Sequence, residues 1–538
     1  MKQIVIFLLG LCSLQAQDFS RADSLRGALS SERSWFDVHY YHLDLELNIQ
    51  EKSISGSNTI AFSVLKSSNR MQLDLFANMS IDSVIYQGNI CEVTREFNAF
   101  FVEFPKPLVK GLKDELTVFY HGIPRKAKRA PWDGGFVWKE DEQGLPWIGV
   151  ACQGMGASAW WPCKDHLSDE PDSMRITCSV PENIQFVGNG NLEEDVFSDG
   201  RRVSTWKVSY PINTYNVTLN VANYSHLQDV YVSNTDSLSL DYYILTGNEE
   251  KARKQFEQVK PMLAIYEDLF GPYPFWEDGY ALVETPYLGM EHQSAIAYGN
   301  QYLPGYLGRY PGDMDFDFIV IHESGHEYWG NSVSMNDLAD MWIHESFCTY
   351  TEALFVEQLY GYDSMIEYLL YQRGFIDGRS PILGHRDVNN QGNHTDMYYK
   401  GSWMLHSIRN TIDNDSLWFS IIKGISYDFA LENCDGVEII DYVCEKAGMD
   451  LKPIFEQYLA YSKAPKFEYK LKHKSGGLQL KYRWRTEVEG FNMSMKYKNS
   501  DGNWESLYPS TKWQIINIEN LLGKSIQFSD HLYLVEKI

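Results

Sequence analysis

The chain has 538 residues, of which 44% are hydrophobic and 22% are charged, and its formal net charge is −25 at pH 7. This composition is typical of a globular protein with large cores, about three domains long, and excludes an intrinsically disordered chain. Such an acidic protein would be repelled by phosphate backbones, so nucleic acid is not an expected partner.

The first residues are typical of a secretory signal peptide. Lys2 precedes a short apolar run over residues 4–11, and Ala16 offers a small residue for cleavage. The run is too short to span a bilayer stably, and no later apolar run of about eighteen residues occurs. We therefore expect residues 1–16 to be removed and the protein to be exported, periplasmic or secreted, without a stable membrane span.

The number and spacing of the cysteines give only weak support for an oxidising compartment. Cys12 falls within the signal segment, and the seven that follow it are an odd number without a Cys-x-x-Cys pair. A cysteine zinc site is therefore not expected. One or two disulfides are compatible with the sequence, which does not determine their pairing.

Residues 17–230 are predicted to form an N-terminal β domain, an antiparallel saddle or sandwich. In 42–48, leucines at alternate positions place one apolar face on a strand, and turn residues recur between such runs across 35–125. A second β-rich stretch covers 175–223, where Asn189-Gly190 is typical of a hairpin turn.

A tryptophan-rich loop lies between these two β stretches. Trp160 and Trp161 precede a proline, and we interpret most of this loop as packing at a domain junction. Gln153, at its start, is the residue that we expect to line a cleft.

Residues 231–465 are predicted to be mainly helical. A helical period covers 249–270, where Pro261 should kink or split the helix. Tyr280–Glu284 is predicted as an edge strand, and helical patterns dominate 315–461 apart from a loop-rich gap around 384–396. The last residues, 466–538, alternate like strands and are predicted to form a small β-sandwich. The fold class is multidomain α+β.

One segment of the helical region carries the pattern His322-Glu323-x-x-His326. On a helix, two histidines four residues apart project from the same face and can bind one metal ion, and the glutamate beside them can reach a water molecule. Glu345 follows His326 with eighteen residues between them. Two histidines and one glutamate are a ligand set for a catalytic zinc, which keeps one position open.

Two further blocks flank this segment: Leu288-Gly289-Met290-Glu291-His292 upstream and Tyr398-x-Lys400-Gly401 downstream. With these blocks in this order, the chain resembles the M1 family of zinc aminopeptidases, the gluzincins that include aminopeptidase N and leukotriene A4 hydrolase. The resemblance covers nearly the whole chain. It implies a thermolysin-like, mainly helical catalytic domain and hydrolysis of the N-terminal peptide bond of peptides with a free amino end.

For the chemistry, the resemblance implies one zinc ion per chain, bound by His322, His326 and Glu345. Glu323 would be the general base that activates the hydrolytic water. Tyr398 would donate its hydroxyl to the oxyanion of the tetrahedral intermediate, a role that Tyr399 could take if the register were shifted by one.

For substrate binding, the resemblance implies that Glu291 pairs with the free α-ammonium group of the peptide. The backbone of Gly289 and Met290 would hold the peptide as an added strand. Gln153 matches a position that often assists at the pocket for the first residue.

Other polar residues near these blocks are expected to support the site without binding the metal or the substrate. Asp340 and Glu352 are candidates to orient the ligand histidines through their second ring nitrogens. Lys400 is interpreted as structural.

Three departures from the family pattern concern substrate binding. Leu288 and His292 replace a glycine and an asparagine of the upstream block, and Leu338 replaces a tryptophan before Glu345. Family members commonly continue into a helical C-terminal domain that caps the cleft. We expect this short form to have a more open cleft and weaker or altered recognition of the far end of the peptide.

Two alternatives remain beside aminopeptidase activity. Epoxide hydrolysis occurs in one branch of the family but requires a lipid tunnel that a sequence does not reveal. A catalytically inactive peptide-binding protein would be expected to lose metal ligands or the base, all of which are present. The sequence does not determine the preferred first residue, the preferred peptide length or the oligomeric state.

Overall fold

The computed structural model describes residues 19–233, 236–309, 311–389, 395–474, 477–499, 501–519 and 526–536. The predicted signal peptide, residues 1–16, lies outside the described residues. None of the helices in the described part of the chain combines the length and the apolarity needed to cross a bilayer.

In the described residues before 224, one short helix, α1 (Arg21–Gly27), accompanies fifteen strands. The strands are β1 (Phe36–Asn48), β2 (Ser53–Val64), β3 (Ser68–Asp74), β4 (Met79–Tyr86), β5 (Asn89–Ile90), β6 (Glu92–Glu96), β7 (Ala99–Leu108), β8 (Lys113–Gly122), β9 (Gly135–Glu140), β10 (Pro146–Ala151), β11 (Ser173–Pro181), β12 (Gln185–Val187), β13 (Asn191–Ser198), β14 (Arg201–Val208) and β15 (Asn220–Ala222).

These strands form three sheets: an eight-stranded sheet in the order β13-β14-β11-β1-β2-β8-β4-β5, a four-stranded sheet β12-β15-β10-β9 and a three-stranded sheet β3-β7-β6. Leu43, Leu45 and Leu47 of β1 are buried as the alternation predicted. The region is not antiparallel throughout, because β1 pairs in parallel with β11, and nine strands lie between these two in the sequence.

The hairpin predicted at Asn189-Gly190 is wrong. Gly190 has the positive φ of a turn (75°), but the strands on either side, β12 and β13, belong to different sheets. Asn189 is buried, and its side-chain amide donates to the carbonyl oxygens of Asn216 (2.9 Å) and Gln293 (2.8 Å). The turn therefore links the β region to the region that follows it.

The next region contains strands and most of the helices. Its elements are β16 (Tyr224–Val232), β17 (Ser237–Leu245), α2 (Glu249–Gln255), α3 (Val259–Phe270), β18 (Tyr280–Glu284), β19 (Gly289–Met290), β20 (Ile296–Tyr298), α4 (Phe318–Gly325), β21 (Val333–Met335), α5 (Trp342–Tyr360), α6 (Tyr362–Arg373), α7 (Tyr399–Ile412), α8 (Asp415–Asp428), β22 (Glu432–Cys434), α9 (Gly436–Ala447) and α10 (Lys452–Ala460).

The helix predicted over 249–270 is split by a 3₁₀ turn at Phe256–Gln258, and Pro261 lies in the first turn of α3, where its missing N–H has no helical partner to lose. The five-stranded sheet has the order β16-β17-β18-β20-β19. Strand β18 is therefore central, not the predicted edge strand. The two edge strands are β16 and β19, the latter being the Gly289-Met290 segment. The predicted domain boundary after residue 230 falls inside β16.

The last elements are β23 (Lys466–Lys474), β24 (Gly477–Arg485), β25 (Met495–Lys498), β26 (Trp504–Leu507) and β27 (Gln514–Glu519). They form a sheet in the order β23-β24-β27 and a separate pair, β25-β26. Trp484 and Phe491 belong to the same buried cluster as Tyr458 and Leu459 of α10, so this region shares its core with the helices. The predicted β-sandwich stays a prediction.

The seven described cysteines are all unpaired. Five of them are buried: Cys152, Cys163, Cys178, Cys348 and Cys434. The described part of the chain therefore contains none of the disulfides that the sequence allowed.

Candidate active site

Helix α4 presents the two histidines and begins with a side-chain cap. The Asp317 carboxylate accepts hydrogen bonds from the backbone N–H groups of Ile319 (2.9 Å) and Val320 (3.3 Å), which have no partner within the helix. Tyr298 also donates its hydroxyl to Asp317 (2.8 Å). The start of α4 is thereby tied to the five-stranded sheet.

Three buried donor atoms converge between α4 and α5. His322 Nε2 and His326 Nε2 are 3.2 Å apart, and Glu345 Oε2 lies 3.7 Å from the first and 3.5 Å from the second. A tetrahedral zinc ion with bonds of about 2.0–2.1 Å separates its ligand atoms by about 3.3 Å. The predicted ligand set therefore has the dimensions of a zinc site.

The surroundings of these atoms fit a metal ion as well. Glu345 Oε2 is buried without a hydrogen-bond partner among the described residues, which is costly for a carboxylate oxygen unless a cation neutralises it. Two other sets of donor atoms lie close together, His322 and His326 with Cys348, and Glu291 and Glu323 with His326. Cys348 Sγ, however, lies 2.8 Å from the His322 carbonyl oxygen and is directed at the helix backbone.

The second nitrogen of each histidine ring is also engaged. His322 Nδ1 lies 2.6 Å from Glu352 Oε1, and His326 Nδ1 lies 2.8 Å from the Trp329 carbonyl oxygen. Such contacts fix the orientation and tautomer of a metal-binding imidazole. Glu352 is in turn held by the Tyr368 hydroxyl at 2.6 Å.

Glu352 and Asp340 were both candidates to orient the histidine rings, and Asp340 contacts neither ring. Its carboxylate accepts from Arg386 (2.5 Å), from the Gly436 backbone N–H (3.0 Å) and from the Trp342 indole N–H (3.3 Å). Asp340 lies before α5, whereas Glu352 lies two turns after Glu345 in that helix, on the side that faces His322 of α4. Lys400 is structural as predicted, since its ammonium group donates to the carbonyl oxygens of Tyr458 (2.6 Å) and Tyr461 (2.5 Å).

A single amide joins the metal site to the carboxylate expected to bind the amino group. Gln153 Nε2 donates to Glu345 Oε1 (2.7 Å) and to Glu291 Oε1 (2.7 Å). The Tyr398 hydroxyl donates to Glu345 Oε1 at 3.0 Å. The structure thus places the Tyr398 hydroxyl, not that of Tyr399, against Glu345, and all the predicted site residues line one cleft.

Electrostatics at this site follow from its burial. Burial raises the pKa of the Glu323 carboxyl to about 7, an effect that the neighbouring histidines oppose. Burial and the nearby Glu345 and Glu291 carboxylates raise the pKa of the Tyr398 hydroxyl well above its usual value. Tyr398 therefore remains a neutral hydrogen-bond donor at all physiological pH values.

The glycine of the upstream block makes room for Glu323. A Cβ atom on Gly289 would lie 2.5 Å from Glu323 Oε1 and 2.9 Å from Ile319 Cγ2. A side chain at this position would have to displace the Glu323 carboxylate and Ile319, so glycine allows the close approach of the β19 edge to α4.

The sequence did not point to several residues of the N-terminal β region that support the site. The Tyr215 hydroxyl donates to Glu291 Oε1 at 3.1 Å. Asn216 donates to Asn331 Oδ1 (2.6 Å), and Asn331 donates to the Glu291 carbonyl oxygen (2.9 Å). Tyrosine and asparagine are common throughout the chain, and no pattern marks these positions.

His292, which replaces the asparagine of the family pattern, is fully buried. Neither of its ring nitrogens has a hydrogen-bond partner among the described residues, and burial lowers the pKa of His292 to about 3. It is therefore a neutral packing residue that does not reach the cleft. Leu288 and Leu338, the other two departures, both line the cleft.

The residues that carry these donor atoms line a cleft of about 1,090 Å³ between the β region and the helices. The N-terminal β region contributes Gln153, Met155 and Trp132, and the helical region contributes Tyr306 and Tyr398 among others. Trp160 and Trp161 are buried in the core, as expected for the rest of the Gln153 loop. A cleft of this size accommodates several residues of an extended peptide.

Comparison with known proteins agrees with this geometry. Residues 254–458 match the model of the peptidase family M1 domain. Leukotriene A-4 hydrolase of Xenopus laevis is 22% identical over 344 residues, which are 61% of this chain and 52% of that protein. Aminopeptidase N of Lactobacillus helveticus is 22% identical over 476 residues, 80% of this chain and 52% of that protein.

The leucyl aminopeptidase of Saccharolobus solfataricus is also 22% identical, over 55% of this chain and 39% of that protein. The chain thus spans about half the length of the curated relatives it matches, or less. Among solved structures, the M1 zinc metallopeptidase of Deinococcus radiodurans superposes with a TM-score of 0.69 at 20% identity, over 82% of this chain and 97% of that one. The two share the order of a multi-sheet β region followed by a helical region.

Proposed function

Because this chain contains a peptidase family M1 domain, we propose that it is a zinc-dependent aminopeptidase that hydrolyses the N-terminal peptide bond of peptides. The observation that carries the proposal is the hydrogen bonding of Gln153. Its amide holds the Glu291 carboxylate directly beside Glu345, at 2.7 Å from each. A carboxylate that can pair with a cation thereby lies close to the three proposed metal ligands.

His322, His326 and Glu345 would hold the zinc ion, which when bound supplies a Lewis acid that polarises the scissile carbonyl and acidifies water. The residues of the chain supply the remaining functions. Glu323 faces the cleft beside the ligand histidines, where it takes the proton of the attacking water and passes it to the leaving amine. Tyr398 donates its hydroxyl to the oxygen that gains negative charge.

The amino end of the peptide selects the bond that is cleaved. Glu291 is buried, so an ammonium group that pairs with it is largely desolvated, and such charge-assisted hydrogen bonds are the strong ones. A peptide with its amino group on Glu291 places only its first carbonyl near the metal ligands. The edge strand β19 (Gly289–Met290) offers backbone groups to an extended peptide that lies along it.

The deciding experiment is hydrolysis of a panel of aminoacyl-p-nitroanilides by the full chain, with and without a chelator. We expect chelator-sensitive activity that zinc restores, and no cleavage of N-acetylated versions of the same substrates. Absence of chelator-sensitive activity on every unblocked substrate would refute the function.

The role of Glu291 has a separate test. In Glu291→Ala, we expect discrimination between free and N-acetylated substrates to collapse, while bound zinc, measured by metal analysis, stays at the level of the native chain. Unchanged discrimination in this variant would refute the amino-group site and leave the hydrolase proposal standing.

We also propose export, which rests on the basic and apolar composition of residues 1–16 alone. Expression of the full chain in a bacterial host, followed by N-terminal sequencing of the periplasmic and cytoplasmic fractions, tests it. A mature protein that begins at Gln17 supports export, and an intact N-terminus in the cytoplasmic fraction contradicts it.

A further inference from the structure

The charge of the chain is distributed unevenly. Residues 466–538 contain 12 Lys and Arg against 8 Asp and Glu, a net charge of +4. Because the whole chain has a net charge of −25, residues 1–465 carry −29. The last region is thus a basic part of a strongly acidic protein, and such an asymmetry points to an anionic partner.

The positive charge is concentrated on one sheet. Strands β23, β24 and β27 contain seven Lys or Arg residues and two Glu. In β24, Leu478, Leu480, Tyr482 and Trp484 are buried, so the alternate residues, among them Lys481 and Arg483, lie on the opposite face. We call the face that carries these cations the basic sheet face.

Like charges stand directly opposite each other on this face. Lys470 of β23 pairs in register with Lys481 of β24, and Lys466 pairs with Arg485. Directly opposed like charges destabilise a sheet in the absence of a counter-ion. Along β23 the row continues with Lys472 and Lys474, so that cations recur about every 6.6–6.8 Å.

An aromatic ring lies among these cations. The Lys481 ammonium and the Arg483 guanidinium are 4.9 Å and 4.6 Å from the ring centroid of Trp513, and the Lys470 ammonium is 5.5 Å from it. Ile515, opposite Lys481 in the register, is 56% exposed. The face thus combines a row of cations with a small apolar platform.

Protection of a sheet edge does not explain this arrangement. Lysines on an edge strand prevent pairing with other chains, and β23 is an edge, but Lys481 and Arg483 are on the central strand. Among the described side chains, the carboxylate that pairs with this set is Glu468, which lies 2.7 Å from Arg483 and 3.6 Å from Arg485. The lysines of the face are left without such a partner.

We propose that the basic sheet face binds a linear anionic polysaccharide. A flexible polymer can follow the row of cations along β23 and place a sugar ring against Trp513. It contacts only this face, whereas an anionic bilayer would bring an extended negative surface against residues 1–465. A nucleic acid would meet the same repulsion at a higher charge density. No residue of these strands lines the active-site cleft, so this site is independent of the proposed hydrolysis.

The test uses the full chain and polygalacturonate, with binding measured by isothermal titration calorimetry at a series of salt concentrations. We expect binding that weakens steeply as salt is raised, because counterions are released from the polymer. The triple variant Lys470→Gln, Lys481→Gln and Arg483→Gln should bind at least about tenfold more weakly.

The matched control is Lys66→Gln, Lys110→Gln and Lys113→Gln, which removes the same charge from exposed lysines of the N-terminal β region. It should bind as the native chain does, and thermal unfolding should show both triple variants to be folded.

Three results would overturn the proposal: no binding at low salt, an equal loss in both triple variants, or tighter binding to oligo(dT) or to phosphatidylglycerol vesicles than to the polysaccharide.

Discussion

The two sides of the active-site cleft are assembled in different ways. On the metal side, the donor atoms come from α4, which contains His322 and ends just before His326, and from the first turn of α5, which contains Glu345. On the amino-group side, Glu291 is held by Gln153 and Tyr215, which are 138 and 76 residues away in the sequence. Helical geometry positions the first set and packing between two regions positions the second.

This difference predicts that changes on the metal side act on the chemical step or on zinc, and that changes on the amino-group side act on substrate binding. Four substitutions test the division, from the largest expected effect to the smallest.

The largest effect is expected for Glu323→Gln. The amide cannot accept the proton of water, so kcat should fall by about a hundred- to ten-thousandfold. Metal analysis should show undiminished zinc, because Glu323 is not one of the three ligands. A variant that retained more than about a tenth of the native kcat would remove Glu323 from the role of base.

Tyr398→Phe is expected to have the next largest effect. It removes the hydroxyl that contacts Glu345 Oε1 at 3.0 Å, and loss of one oxyanion donor typically lowers kcat by about a hundred- to a thousandfold. Steady-state kinetics should show a change in kcat with little change in KM, and Tyr399→Phe is the matched control. A change in KM with kcat unchanged would contradict the assignment.

Glu352→Gln should weaken zinc binding by about ten- to a hundredfold. The substitution removes the charge next to His322 Nδ1 but preserves the shape of the side chain. Titration with a zinc buffer should show the weaker affinity, and excess zinc should restore most of kcat. If saturating zinc did not restore kcat, Glu352 would not act through zinc binding, and a rise in KM alone would contradict its place on the metal side.

Gln153→Ala tests the amino-group side. It removes the hydrogen bond to Glu291, and a bond to a charged group contributes about 1.5–3 kcal/mol, so KM for unblocked substrates should rise by about tenfold or more. Because Gln153 also donates to Glu345, zinc affinity must be measured in parallel. Tyr215→Phe removes the bond to Glu291 and a longer contact with His344 Nδ1 (3.4 Å) but no bond to Glu345, so it should give a smaller rise in KM and unchanged zinc affinity.

The metal set was predictable because its atoms are related by local geometry. Two histidines one helical turn apart share a face in any helix, and the ligand glutamate and its helix follow within a short segment. Glu291 and Tyr398 were found from the family pattern, and the structure brings both to the same ligand, Glu345. The sequence could not show that Glu352, and not Asp340, is the partner of His322, because it does not show which side of α5 faces α4.

The sequence by itself predicted the proposed metal ligands, the proposed general base and the order of a β region followed by helices, since all of these depend on residue types at short, regular spacings. Only the tertiary structure decided that β18 is central, that Asn189-Gly190 joins two regions and that Tyr215 and Gln153 hold Glu291. These contacts join residues far apart in the chain, and their energy comes from burial and hydrogen bonding that exist only after the two regions pack together.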